Sequence, residues 1–151
     1  MKTMMIVASA AAVLGLTATS ALAEMWVDYT PQKGVYMTTL VHVDPDKIDD
    51  YLVALKKTWV PGEELSKKHG IIDSYAVQIN ANPYGTGPNV VLIEHYPTSA
   101  TLDPDKTRDM AIDKEMQQYM PKASIPGTMT ERAKYRTIIS QEMWGVVDFT
   151  K

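Results

Sequence analysis

The nine residues from Val35 to Val43 constrain this chain more than any others. They are rich in β-branched and apolar side chains and stop at Asp44-Pro45, so they read as a buried strand that feeds directly into a helix. Asp44 suits an N-cap, and Pro45 suits the first helical position, where a missing N–H costs nothing. Beyond it Ile48, Tyr51, Leu52, Leu55 and Trp59 recur at intervals of three and four, while Lys47, Asp49, Asp50, Lys56 and Lys57 fill the other side. That is the pattern of a helix with one face on a sheet and the other in water. Pro61 is expected to kink it, because its ring clashes with the carbonyl four residues back. A second short helical piece then covers residues 62–69 and ends at a Gly70 cap.

Residues 71–79 and 89–96 read as two further strands, joined across 80–88, a segment dense in Asn, Pro and Gly. Asp103-Pro104 repeats the helix-start chemistry, and Met110, Ile112, Met116, Tyr119 and Met120 carry a looser apolar stripe up to Pro121. Thr128 with Glu131 three residues later predicts a capping box, opening a helix that runs to about Thr137. Residues 140–149 complete the set as a fourth strand, and residues 24–34 form an N-terminal arm without a clean period. The order strand, helix, strand, strand, helix, strand is the split βαβ, or ferredoxin-like, arrangement. The expected fold is therefore α+β, with one domain over residues 35–151 and a four-stranded antiparallel sheet. The tetrapeptide Asp-Pro-Asp-Lys occurs at 44–47 and again at 103–106, after a strand and before a helix each time.

With this element order, the segment Trp59-Val60-Pro61 and the hairpin carrying Ile72-Asp73-Ser74-Tyr75 and Val91-Leu92-Ile93-Glu94-His95-Tyr96, the chain resembles the dimeric α+β barrel superfamily over residues 35–149. The resemblance implies two ferredoxin-like sheets packed face to face. Members of that superfamily include cofactor-free monooxygenases, haem enzymes, lactone isomerases and proteins with no known reaction, so the fold does not choose a chemistry. The alternation in the first strand agrees with a homodimer. Val35, Met37, Thr39, Val41 and Val43 lie opposite Tyr36, Thr38, Leu40 and His42, which leaves both sheet faces largely apolar.

The first residues speak of address. Lys2 supplies a positive start, residues 4–16 an apolar run too short to span a bilayer, and Ala21-Leu22-Ala23 a small-x-small cleavage site. Residues 1–23 are expected to be a signal peptide, so that the exported chain begins at Glu24, in the periplasm or outside the cell. There is no cysteine, hence neither a lipobox anchor nor a disulfide. The whole chain has a formal charge of −3, and removing Lys2 with the leader takes it to −4. Nucleic acid and anionic membrane, which reward a basic face, are not expected partners.

The three histidines are the side chains expected to titrate near neutrality. His42 and His95 fall near the ends of neighbouring antiparallel strands and so at opposite ends of the sheet, which disfavours a shared metal. Glu94 and His95 are adjacent on one strand and face opposite ways. Asp73 is expected near His95, while His69, following Lys67 and Lys68 at a helix end, reads as a solvated residue. No zinc spacing, phosphate loop or nucleophile elbow is present, and no motif requires a cofactor. Seven methionines follow residue 24, at 25, 37, 110, 116, 120, 129 and 143. Copper is one reading of them, and filling an irregular core between helix and sheet is the favoured one. A helix lifted at Pro61 leaves room over the sheet, so a pocket for a small, mostly apolar molecule is expected around His42, Trp59, Tyr75 and His95. A cofactor-free oxygenase or isomerase with His42 or His95 as base is the first alternative, and a haem or copper protein the second.

Overall fold

The structure, a computed structural model of the chain, describes residues 22–82, 85 and 87–150, with Pro126 as backbone alone. The expected leader, apart from its last two residues, lies outside them. The long apolar strand β2 (Val35–Val43) sits inside a four-stranded antiparallel sheet. Its neighbours are β4 (Val90–Tyr96) on one side and β5 (Arg136–Trp144) on the other, and β3 (Ser74–Ile79) pairs with the far edge of β4. The order β3-β4-β2-β5, with the first and third strands of the motif at the centre, is the ferredoxin-like one.

A second, smaller sheet pairs β1 (Tyr29–Pro31) with β6 (Val147–Phe149). The expected single last strand over 140–149 is thus two strands, and it begins earlier, at Arg136. The reason lies in β2. Trp144 pairs with Tyr36, one residue from the start of β2, and Gly34 then turns the chain away at φ +85°. Past Trp144 the edge strand has no partner left, so the chain crosses to β1. Gly34 is confined to glycine, since a Cβ there would stand 2.5 Å from the Tyr96 carbonyl oxygen.

After a single 3-10 turn at Pro45–Lys47, helix α1 runs unbroken from Ile48 to Lys68 with Pro61 inside it. The two pieces expected either side of Pro61 are therefore one helix. Lys57, whose carbonyl loses its usual donor to the proline, is exposed, and water can take the place of the missing bond. The helix ends as expected: Gly70 is left-handed at φ +70° and its N–H bonds back to Lys67. Tyr51 and Leu55 bury themselves against Val41, Val43, Val90 and Leu92, and this is the core.

The second crossover is divided. Helix α2 (Lys106–Tyr119) starts one residue after Asp105, whose side chain accepts from the Arg108 N–H at 2.9 Å, so Asp105 and not Asp103 is the cap. No residue of α2 is buried; it lies along α1, tied by Lys68–Glu115 at 2.6 Å and His69–Glu115 at 3.1 Å. Helix α3 (Ile125–Ala133) includes Thr128, whose hydroxyl bonds back to the Ser124 carbonyl. The expected capping box is absent because Thr128 already stands inside the helix, where a back-bond within the turn is its nearest option. Among the described residues no helix is long and apolar enough to cross a membrane.

Candidate functional site

Helix α2 leans on α1, α3 lies against β5 and reaches α1 through Arg132 and Thr58, and space remains between the three helices and the sheet. It forms a cavity of about 400 Å³. Thr39, Leu92, Glu94 and Ile138 form its sheet side, and Leu55, Trp59 and Glu63 descend from α1. Met116 and Met120 of the α2 end close it with Met129 and Arg132 of α3. Gly62 lets α2 approach here, since a Cβ would come within 2.8 Å of the Met116 methyl. Most of the wall surface is apolar, but seven of the fifteen lining residues are polar or charged, among them Glu63, Glu94, Arg132 and Arg136.

Glu63 continues the stripe Tyr51, Leu55, Trp59 one turn further, so it points where the helix points its core residues. It is 8 % exposed, and no described residue donates a hydrogen bond to its carboxyl. Burial pushes that carboxyl up to about 8, and the neighbouring Glu94 adds to the effect. Glu94 itself accepts from the Tyr96 hydroxyl at 2.8 Å. Burial first, and this bond second, hold the Tyr96 phenol above its ordinary range.

Arg132 stands at the other end, also 8 % exposed. Its Nη1 donates to Thr58 Oγ1 at 3.2 Å and its Nη2 lies 3.4 Å from Met129 Sδ, but its buried Nε has no partner. Burial lowers its pKa, with Arg136 nearby as the second cause. Arg136 donates to the Tyr51 hydroxyl at 3.1 Å and lies over that ring.

The four residues expected to share a pocket divide between the two sheet faces. Trp59 lines the cavity. Tyr75 stands behind it on the same face, edge-on to the indole at 5.3 Å, with its hydroxyl donating to Glu64 at 2.6 Å and its phenol pushed up to about 12, chiefly by that bond. His42 and His95 lie on the opposite, open face and at opposite ends of it, for Tyr36 pairs with His95 and Val41 with Val90. Adjacent strand residues point opposite ways, so Glu94 faces the cavity and His95 does not. His95 Nδ1 donates to Asp73 at 2.7 Å, which holds the Asp73 carboxyl below its usual range, and the ring packs on Tyr36 at 4.4 Å. His42 Nδ1 donates to the Gly87 carbonyl at 2.9 Å. His69 is not free in solvent: it caps α1 and bonds Glu115.

Sequence reasoning passed over Glu63 and Arg132. The first had a signal, an acid four residues beyond Trp59 on an apolar stripe. The second had none, because its burial depends on Thr58, 74 residues away. Three of the methionines, 116, 120 and 129, meet in the cavity walls. Among the described residues no group of three or more His, Asp or Glu is placed to hold a metal ion.

Neither a family model nor a curated protein matches the chain. Two solved structures, each described as a dimeric ferredoxin-like protein from an uncultured marine organism, are similar to it. One is 16 % identical over 80 % of this chain and 96 % of its own, with a TM-score of 0.38. The other is 8 % identical over 79 % and 91 %, with a TM-score of 0.41.

Proposed function

We propose that this protein binds a small, mostly apolar molecule in the cavity beneath the second half of α1. The observation that carries the reading is the cavity itself: about 400 Å³, apolar in most of its wall, with a buried acid and a buried arginine that no described carboxylate pairs. Unpaired buried polar groups are costly in a filled core, and are retained where a ligand supplies the partner. A thermal-shift screen of small molecules tests this, because a compound that binds only the native state raises its melting temperature. Hits should lose their effect in Thr39→Trp, which fills the cavity from the sheet side. A broad screen without hits, or hits indifferent to that substitution, would place any function elsewhere.

A second reading rests on Glu63. A carboxyl whose pKa lies near 8 beside an apolar cavity is suited to carry a proton at neutral pH, as a general acid or base requires. The activity would be proton transfer on an enolisable ligand, with Glu63 rather than His42 or His95 as the base. Solvent deuterium exchange into a bound ligand, lost in Glu63→Gln, would support it, and exchange surviving in that variant would exclude Glu63.

The protein is also proposed to be exported and homodimeric. Export is supported by the cleavage pattern ending at Ala23, and the intact mass of the exported chain should correspond to a start at Glu24. The dimer is supported by the open face, where Leu40, Val91 and Ile93 are part-exposed and Trp144 is 54 % exposed beside Thr38. Light scattering should give twice the chain mass, falling to the monomer for Ile93→Asp. A monomeric wild type at micromolar concentration would refute it.

A further inference from the structure

We propose that the ligand of this cavity is an elongated molecule with a carboxylate head, held by Arg132. The inference rests on the cavity being a binding site and adds the chemical class of what enters it. A guanidinium is a planar fork, and the edge formed by Nε and Nη2 presents two parallel N–H groups matched to a carboxylate. In Arg132 the remaining nitrogen, Nη1, is engaged by Thr58, whereas the Nε–Nη2 edge has a single thioether contact and nothing else. A thioether is a weak acceptor. Met129, which supplies it, is 50 % exposed and unbranched, so its side chain is free to swing off the edge when an anion arrives.

The charges in the cavity agree. Arg132 makes no ion pair among the described residues, and Arg136, close enough to lower its pKa, adds positive charge at the same end. The acids are at the other end. Glu63 lies five residues beyond Thr58 on α1, about 7–8 Å along the axis, and neither Glu63 nor Glu94 figures among the charges felt by Arg132. Between the two ends the wall is Trp59, Leu92, Met116 and Met120. A molecule that satisfies this arrangement carries an anion at one end, an apolar body, and little or a hydrogen-bond acceptor at the far end near the protonated Glu63.

The test is calorimetric titration of the chain from Glu24 with a series of phenylalkanoates and alkanoates of two to eight carbons, each beside the alcohol and the amine of the same body. The acids should bind at least tenfold more tightly than their alcohols, and the amines most weakly. Arg132→Met should remove that preference, and Arg132→Lys should keep part of it. Circular dichroism melts confirm that each variant is folded. Equal binding of acids and alcohols by the wild type, or a preference that survives Arg132→Met, overturns the carboxylate assignment while leaving the cavity a binding site. No binding by any member of the series overturns the assignment too, and hits of other chemistry in the thermal-shift screen would then decide the cavity itself.

Discussion

The two halves of α1 rest on the same sheet and do opposite things. In the first half Tyr51, 0 % exposed, fills the space over Val41, Val43 and Val90, and Leu55, 2 % exposed, packs with it while also forming the near wall of the cavity. In the second half Trp59 and Glu63 look into a cavity, although the stripe that carries them continues without a break. The helix is not the cause of the difference, since it continues through Pro61 in one piece. The cause is what lies beside it. A second helix pressed on the β2–β5 side would close the space, but here that crossover is split into α2, which leans on α1 with no buried residue, and the short α3, which lies against β5. A filled core and an open site can therefore share one helix and one sheet face, and the residues that distinguish them are an unpaired acid and an unpaired arginine.

The largest effect expected from that contrast is on pH dependence. The folded state holds the Glu63 proton up to about 8, whereas the unfolded chain releases it near 4.5. Its stabilising contribution is full below pH 4.5 and is lost as pH rises through 8. At about 1.4 kcal/mol per unit, the wild type should lose on the order of 5 kcal/mol relative to Glu63→Gln between pH 4 and 9. Urea melts across that range check it, and parallel curves for the two proteins would mean that Glu63 ionises as if exposed.

Next in size is the packing where the filled half meets the cavity. Leu55→Ala should cost about 3 kcal/mol, as a large-to-small change does in a close-packed core. Met120→Ala, a deletion of similar volume at the cavity wall, should cost about 1 kcal/mol or less, because its side chain has less packing to lose. Equal costs would mean that the cavity is packed as tightly as the core.

The local parts of this architecture were legible in the residues. Val35–Val43 announces a strand, the spacing of Tyr51, Leu55 and Trp59 announces a helix with one buried face, and Gly70 marks its end, because each depends on neighbours within a turn or two. What was not legible depends on distant partners. That Val147–Phe149 leaves the main sheet follows from where β2 begins and from Tyr29–Pro31 lying near enough to pair. Thr128 and Glu131 have a capping box's spacing, but the helix had already begun at Ile125. Trp59 faces the space under the helix, whereas His42 and His95 belong to the face that the alternation in β2 and β4 turns away from it. Their own partners, Gly87 and Asp73, account for their polar groups.

The central claim is that the open half of the helix face, and not the open sheet face, receives a ligand. Methyl NMR of the chain with labelled methionines tests it most directly, because Met116, Met120 and Met129 line the cavity while Met25, 48 % exposed near the N-terminus, lies outside its walls. Titration with a compound that raises the melting temperature should shift those three methyl signals together and saturably, and leave that of Met25 in place. Saturable binding that leaves all three unmoved would contradict the account.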